Sequence, residues 1–590
     1  MAELWKDILY TNVMQSDGYV VDYALLTSYS LDMPTLLSIP FMLGTMTDLS
    51  DAAMRSPHLV LEAVNKSASK FSVFCNAGCI AAPQTYSKLF ALLEQSVVQI
   101  SLPAYGAGFI NFHPKVWVIR ETNPDTGESQ LKVVVLSRNL AGSNDLDVVC
   151  ELVGHIGRKT SSKEAKTKHQ PLADFMNWLS DRAKAKTKKN IQGLIDDLDH
   201  VERFQLEDSP FCDYDFFPMG INGYDGKETC LDSDMRNYAS EMVVISPFID
   251  RKTLESFVSC SPKARKTLIT RHSSVKKEIL PLFNDGVYVP KEILTDKVEK
   301  DVTVDLHEKV YFIRNYKTGY NTLYLGSTNA TQNGFGRNVE FLLRLTFISH
   351  KTSYDQFRRE LIYDGKECMF EWVISVPEDD APKEDVKDEL VMRRAISAIS
   401  KAEVKEDSDG FAITIKCRTS RLPLEEVSLY PIGCEALETT LENVMVFDKL
   451  ELSQLTEFYV IKVGNLKRVI KIDTTGLPTD ARDQAIFRSI INTKSKFISY
   501  LSFMLTDDPD QYILESQQLE KETKELGMSN REEERSVSLY EDLVRMAYKD
   551  PERVSAIRKV IGKLDKSVIP ERFNEMYASF ENAIKQIRRL

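Results

Sequence analysis

Residues 113–139 read HPKVWVIRETNPDTGESQLKVVVLSRN, and residues 307–329 read HEKVYFIRNYKTGYNTLYLGSTN. Each stretch begins with His-x-Lys, continues into an apolar run, passes through a loop with a glycine, and ends a second apolar run with Ser-x-Asn. Runs rich in β-branched and aromatic residues that are bounded by turn residues predict strands. The recurrence of the whole pattern predicts that two copies of one unit decide the fold.

The segments upstream of the two stretches also match each other. YALLTSYSLDMPTL (23–36) and MVVISPFIDRKTL (242–254) each combine an apolar run, an aspartate and a Thr-Leu pair, and two shorter apolar runs follow each of them. Strands that alternate with helical stretches predict an α/β architecture. We therefore interpret residues 1–190 and 235–375 as two α/β repeats, joined by a polar connector at 191–234.

The remaining third of the chain has a different composition. Residues 376–410 include VPEDDAPKEDVKDE, which is acidic with two prolines, so we expect an acidic linker or an exposed helix there. Alternating apolar residues predict a small β-rich domain at 411–475. Apolar residues at helical spacing predict a helical C-terminal domain at 476–590, suited to packing or to docking a protein partner.

Each repeat offers the same five polar residue types in the same order. They are His113, Lys115, Ser137, Asn139 and Glu151 in the first repeat, and His307, Lys309, Ser327, Asn329 and Glu340 in the second. Residues i and i+2 of a strand face the same side, so each histidine and its lysine are expected to project together.

These residue types suit chemistry at phosphorus. An imidazole can attack phosphorus or transfer a proton, while a lysine ammonium and an asparagine amide can hold the phosphate oxygens. A glutamate that accepts a hydrogen bond from the other ring nitrogen would fix the tautomer of the histidine. We expect these groups to act without a metal ion or any other cofactor.

The pattern resembles the phospholipase D superfamily, whose signature H-x-K-x4-D followed by G-S-x-N occurs twice and forms one site across a pseudo-two-fold axis. The resemblance covers about residues 20–350, and it implies two phospholipase D-like α/β repeats, with mixed sheets flanked by helices, packed as a pseudo-dimer. The sequence departs from the signature because Arg120 and Arg314 occupy the aspartate positions and Leu136 replaces the first glycine. Missing aspartates are typical of the tyrosyl-DNA phosphodiesterase branch.

The resemblance implies a phosphodiesterase that cleaves nucleic acid, with DNA favoured over RNA and the choice between them left open. It implies that His113 attacks to form a phosphohistidine and that His307 acts as acid and then as base, although symmetry leaves the reverse assignment open. By analogy, we expect a bacterial anti-phage or restriction role with an ATPase or helicase partner. Two alternatives stay open, namely a phospholipase D-type lipid hydrolase and a catalytically silent nucleic-acid-binding or scaffold protein.

Charge and cysteine content limit the setting of this chemistry. The formal net charge is −12, so binding to a polyanion requires a local basic surface. The segment KARKTLITRHSSVKK (263–277) is the best candidate, and we expect Lys263, Arg265, Lys266 and Arg271, together with Ser137, to bind substrate. The nine scattered cysteines and the absence of a signal-peptide pattern favour a cytoplasmic protein with no membrane contact, and self-association is left open.

Overall fold

The computed structural model of the protein describes the chain except for residues 1–12, 46–55, 106–107, 143–144, 207–208, 225–233, 235–238, 292–305, 349–352, 365–366, 376–384, 419–425, 507–510, 513–531 and 588–590. The chain divides into two compact units. The first unit takes in residues 1–35, 70–81 and 96–387, and the second takes in 36–69, 82–95 and 388–590. Two segments that we had assigned to the first repeat, 36–69 and 82–95, thus belong to the second unit. The predicted domain boundaries remain predictions.

The first repeat forms a six-stranded mixed sheet. Its strands are β1 (Val20–Ser28), β2 (Phe71–Asn76), β3 (Val97–Ile100), β4 (Val116–Thr122), β5 (Ser129–Leu136) and β6 (Val149–His155). They lie in the order β6-β5-β4-β1-β2-β3. Strands β1, β2 and β3 pair in parallel, whereas β4, β5 and β6 continue the sheet in antiparallel pairs. Every residue of β2 is buried, which is typical of a strand covered on both faces.

The second repeat forms a sheet with the same inner order. Its strands are β7 (Phe211–Met219), β8 (Ala239–Ile245), β9 (Arg265–Ile269), β10 (Val287–Pro290), β11 (Val310–Asn315), β12 (Tyr320–Gly326), β13 (Glu340–Ile348) and β14 (Phe370–Trp372). The order is β7-β13-β12-β11-β8-β9-β10-β14, so β7 and β14 are additional edge strands. The inner six strands repeat the parallel and antiparallel pairings of the first sheet. The predicted duplicated α/β fold is confirmed.

Helices flank these sheets and make up much of the second unit. They are α1 (Met33–Thr45), α2 (Pro57–Ser67), α3 (Leu89–Leu92), α4 (Lys163–Ser180), α5 (Ala185–Leu198), α6 (Arg251–Cys260), α7 (Gln332–Gly336), α8 (Tyr354–Ile362), α9 (Asp385–Ala398), α10 (Thr479–Ile490), α11 (Lys494–Leu505), α12 (Glu532–Lys549), α13 (Pro551–Lys563) and α14 (Glu571–Ile587). Among the helices that the structure describes, none combines the length and apolar character needed to cross a bilayer.

One apolar core joins the two sheets of the first unit. A single buried cluster includes Val118 and Val133 from the first sheet, Phe341 and Leu343 from the second, and Phe175 from α4. The rings of Phe175 and Phe341 lie 5.1 Å apart. Burial of this many apolar side chains drives the two repeats to pack together, because each would otherwise expose an apolar sheet face to water.

The second unit contains two small sheets. Its longer strands are β15 (Ile399–Asp407), β16 (Gly410–Cys417), β17 (Val427–Pro431), β18 (Val444–Leu450), β19 (Phe458–Val463) and β20 (Leu466–Lys471). One sheet contains the neighbours β18-β16-β15, and the other contains β20-β19-β17. Beyond residue 384 the acidic stretch forms helix α9 and strand β15, so a helix, one of the two expectations for this stretch, is present there. Helix α9 buries Val391, Met392 and Ala395, which the acidic composition of this stretch did not indicate.

Candidate active site

Both His-x-Lys segments lie immediately before a strand, so the prediction that they lie within one is corrected. Strand β4 begins at Val116 and β11 at Val310. Each lysine nevertheless lies beside the histidine of its own His-x-Lys segment, as expected. Lys115 Nζ donates a hydrogen bond to the carbonyl of His113 and lies 3.1 Å from His113 Nε2. Lys309 Nζ likewise donates to the carbonyl of His307.

The two repeats exchange backbone hydrogen bonds at their histidines. His113 N donates to Val339 O at 2.9 Å, and His307 N donates to Leu146 O at 2.9 Å. Each histidine of one repeat is therefore fixed against the segment that precedes an acidic residue of the other repeat. This reciprocal exchange is the pseudo-two-fold relation that the duplicated sequence predicts.

The carboxylates that orient the histidines also come from the opposite repeat. His113 Nδ1 lies 2.9 Å from Glu340 Oε2, and His307 Nδ1 lies 3.1 Å from Asp147 Oδ1. The prediction for Glu340 as an orienting group agrees with this geometry, whereas the prediction for Glu151 is wrong. Glu151 lies on β6 beside Lys132, at 3.4 Å, and is partly exposed. Asp147 was missed.

Hydrogen bonds to the serines show why Asp147, and not Glu151, corresponds to Glu340. Ser137 Oγ donates to Asp147 Oδ1 at 2.7 Å and accepts from Val148 N at 2.9 Å. Ser327 Oγ makes the same two contacts, donating to Glu340 and accepting from the amide that follows it. The acid follows its serine by a shorter loop in the first repeat, so matching by residue type selected the wrong carboxylate.

The same contacts revise the roles predicted for the serines. Both side chains are fully buried and both donate to a carboxylate. Ser137 was expected to bind substrate and Ser327 to take part in catalysis. The structure instead uses both hydroxyls to hold the groups that orient the histidines.

A second duplicated set of hydrogen bonds fixes the loops that carry the two asparagines. Ser28 Oγ accepts from Leu140 N at 2.9 Å, directly after Asn139, and Ser246 Oγ accepts from Ala330 N at 2.9 Å, directly after Asn329. Each asparagine loop is therefore hydrogen-bonded to a serine at the carboxyl end of strand β1 or β8. Asn329 Oδ1 is buried and has no hydrogen-bond partner among the described residues, so this amide can serve a ligand.

Two aspartates complete this anchoring. Asp32 accepts from Thr35 N at 2.6 Å and from Gly142 N at 2.7 Å. Asp250 caps helix α6 by accepting from Thr253 N at 2.8 Å, and its other oxygen accepts from Gln332 N. The matched Asp-Thr-Leu pattern upstream of each repeat signalled an equivalence, but only the structure shows that it tethers the asparagine loops.

Burial and mutual repulsion shift the protonation of the cluster. Burial lowers the pKa of His113 to about 4, opposed by the negative charge of Glu340. Burial also lowers the pKa of Lys115 to about 7. The pKa of His307 lies well below its usual value because of burial and the charges of Lys309, Lys115 and His113. Charges that act on one another in this way belong to one cluster, as the duplicated motif predicts.

The cluster also contains groups with raised pKa values. Burial raises the pKa of Glu308, the middle residue of the second His-x-Lys, to about 8, and the charge of Asp147 adds to this effect. Burial raises the pKa of Asp147 itself. Because the pKa values of His113 and His307 are both lowered, the two histidines are neutral at neutral pH. With Nδ1–H donated to Glu340, His113 keeps its lone pair on Nε2, the atom that can attack.

Only one of the four basic residues predicted to bind substrate lies beside this cluster. Arg271 Nε donates to Leu306 O at 2.7 Å, next to His307. Arg265 lies at the opposite end of β9, roughly 20 Å away along an extended chain, where it pairs with Asp285 and Asp355. Lys266 is buried and donates to backbone carbonyls, and Lys263 is exposed in the preceding turn.

The arginines at the signature aspartate positions lie away from the histidines. Arg120 pairs with Asp22 at 2.6 Å and with Asp197 at 2.8 Å, and Arg314 pairs with Glu241 at 2.8 Å. Each lies five residues beyond its lysine, roughly 16 Å along the strand. The departure from the signature therefore changes surface ion pairs and leaves the cluster of histidines, lysines and asparagines complete.

Two mixed sheets of equal inner strand order, whose His-x-Lys and Ser-x-Asn segments meet in one cluster, define a phospholipase D-like fold. No family model and no curated protein matches the sequence. Within the described residues, no group of three or more His, Cys, Asp or Glu side chains could hold a metal ion.

The chain is similar to several solved structures. The yeast tyrosyl-DNA phosphodiesterase is 12% identical with a TM-score of 0.34, covering 60% of this chain and 88% of its own. A phosphatidylserine synthase from Haemophilus influenzae is 9% identical with a TM-score of 0.35, covering 63% and 92%. NucT from Helicobacter pylori is 18% identical with a TM-score of 0.21, covering 27% and 98%. These values are low, so we infer function from the geometry of the site.

Proposed function

We propose that the protein is a phosphodiesterase that cleaves nucleic acid through a covalent phosphohistidine. The observation that supports this most strongly is the pair of histidines, each held by a carboxylate from the opposite repeat at 2.9 and 3.1 Å. Two oriented imidazoles on either side of a phosphorus atom supply both a nucleophile and a proton donor.

In the first step, His113 Nε2 attacks phosphorus and the bond to the leaving oxygen breaks. His307 Nε2–H gives its proton to that oxygen, so the leaving strand departs as an alcohol. In the second step, His307 takes a proton from water, and the resulting hydroxide displaces His113 from phosphorus. Lys115, Lys309 and the two asparagine amides stabilise the charge on the non-bridging oxygens.

The lowered pKa of His307 requires that substrate binding protonate it. In the ligand-free protein, burial and the neighbouring lysines disfavour the imidazolium. A bound phosphodiester brings negative charge into this group of cations, and Asp147 at 3.1 Å stabilises the protonated ring. The general acid therefore becomes charged when the substrate arrives.

The test is cleavage of end-labelled single- and double-stranded DNA and RNA in excess EDTA. Since every catalytic role above is filled by a side chain, we expect activity to persist in the chelator and to be lost in His113→Ala and in His307→Ala. Acid-quenched native protein should carry the labelled phosphate on histidine. Cleavage that needs a divalent metal, or that survives both substitutions, contradicts the proposal.

Phosphatidylcholine vesicles form a further arm of the same experiment, because a lipid hydrolase would use the same two-histidine chemistry. Hydrolysis of lipid without cleavage of nucleic acid would assign the site to that class. If neither substrate is cleaved and both remain bound, the catalytically silent alternative is the better description.

The preference for DNA, a restriction or anti-phage role, an ATPase or helicase partner and self-association extend the proposal by analogy. Cells that express the chain should resist phage only when His113 is intact, and light scattering of the full chain measures self-association. Resistance that persists in His113→Ala would separate the biological role from the chemistry.

A further inference from the structure

An exposed aromatic ring lies on a hydrogen-bonded loop beside the second repeat's half of the site. Phe248 follows β8, and its side chain is 49% exposed. Its carbonyl accepts from Ser246 Oγ at 2.8 Å, and the same hydroxyl accepts from Ala330 N, next to Asn329. Asp250 anchors the end of the loop to helix α6. The backbone that carries the ring is therefore hydrogen-bonded next to the asparagine loop.

Arg271 contacts both this ring and Leu306, the residue before His307. Its guanidinium carbon lies 4.8 Å from the centre of the Phe248 ring, and its Nε donates to Leu306 O at 2.7 Å. Its charge also acts on His307 and Lys309, lowering the pKa of each. The guanidinium of Arg271 and the ring of Phe248 therefore lie together. Arg271 is also hydrogen-bonded to the residue that directly precedes His307, the histidine that protonates the leaving group.

The first repeat lacks this arrangement at the corresponding position. Ser28 Oγ donates to Ser30 O at 2.5 Å as Ser246 does to Phe248 O, so a serine stands where the second repeat has the phenylalanine. The nearby Tyr29 packs on His113, with ring centres 5.0 Å apart. Among the described residues the two halves of the site therefore differ, because Tyr29 is half-buried against His113 whereas Phe248 on the His307 side is exposed.

We propose that Phe248 and Arg271 form a nucleotide subsite that stacks an unpaired base of the leaving strand and binds the phosphate next to the scissile one. This inference rests on the proposed nuclease function and adds that the substrate is single-stranded. Base–aromatic stacking is the usual means of holding single strands without reading sequence, and arginine supports it by its charge and planarity. A base within a duplex already stacks on its neighbours and cannot offer its face to Phe248.

The test compares three labelled oligomers of equal length: a single-stranded oligonucleotide, its duplex, and a chain of abasic residues with the same phosphates. Binding is measured by fluorescence anisotropy in the His113→Ala background, and cleavage in the native background. We expect the single strand to bind more tightly than the abasic chain, and Phe248→Ala to lower that ratio about 10-fold. Phe248→Trp should restore it, and the duplex should be cleaved at least about 10-fold more slowly than the single strand.

The matched control is Tyr316→Ala, which removes another exposed ring, 65% accessible, from the far end of β11. It should leave the ratio unchanged. Equal weakening of single-stranded and abasic binding by Phe248→Ala, or equal cleavage of duplex and single strand, would overturn the subsite. Failure of the native protein to cleave any oligomer would instead refute the proposed function, and the anisotropy ratio would still decide the subsite.

Discussion

Replacement of Asp147 by asparagine should disable one half of the chemistry while keeping the fold. The carboxylate lies 3.1 Å from His307 Nδ1, and an effective dielectric constant of about 20 gives roughly 5 kcal/mol for a unit charge pair at that distance. That energy corresponds to nearly four decades in rate. We expect a kcat lower by about 10³- to 10⁴-fold, because asparagine can still accept from Ser137 but no longer stabilises the imidazolium.

The assay is single-turnover cleavage of a labelled oligonucleotide, with thermal melting to confirm folding. Glu151→Gln is the matched control, since Glu151 is partly exposed and Lys132 retains Glu121 at 3.2 Å. It should change kcat by less than about 2-fold. A p-nitrophenyl phosphodiester adds a second criterion, because its leaving group needs no proton.

If His307 is the general acid, the Asp147→Asn defect should largely disappear with that ester, whereas the defect of Glu340→Gln, which affects the nucleophile His113, should persist. The opposite dependence on leaving group would exchange the two histidines. Equal loss in Glu151→Gln and Asp147→Asn would refute the crossed assignment of carboxylates altogether.

Three further predictions concern pH and the surroundings of the site. The kcat/KM profile should rise as His113 loses its proton near pH 4 and should fall as His307, and then Lys115 near pH 7, lose theirs. Lys115→Arg should remove only the part of the alkaline fall that belongs to Lys115, because a guanidinium stays protonated. Asp250→Ala should raise KM about 10-fold by releasing the asparagine loop, and Asp250→Asn should recover part of this in the same steady-state assay. Arg314→Ala should alter kcat/KM by less than about 2-fold, since Arg314 binds Glu241 at the far end of β11.

The duplicated architecture was predictable because short sequence patterns that determine strands and turns occur twice along the chain. Apolar runs, glycine turns and the two His-x-Lys segments recur at matching places, and the strand order follows that recurrence. Two strands that occur only in the second repeat, β7 and β14, have no counterpart to reveal them. The insertion of 36–69 and 82–95 into the second unit depends on long-range burial, such as the pairing of Glu94 with Arg482 at 2.5 Å.

The sequence predicted which residue types form the site, but it did not predict which carboxylate binds which histidine. His113, Lys115, His307 and Lys309 meet as expected, because the motif fixes their spacing. Asp147 escaped detection because its loop is shorter than that of Glu340, and distance along the chain does not show which acid faces a buried imidazole. Its signal was present, since it directly precedes the apolar run VVC as Glu340 precedes FLL.

The crossed carboxylates have a consequence for how such a chain can arise and be divided. A single repeat with its own histidine and acid would leave both unpaired, and two copies related by a two-fold axis would satisfy both at once. A fused chain is then free to let its copies diverge, as Pro114 and Glu308 or Arg138 and Thr328 have done. Separately produced halves should therefore be inert alone and regain activity on mixing, each supplying the acid that the other lacks.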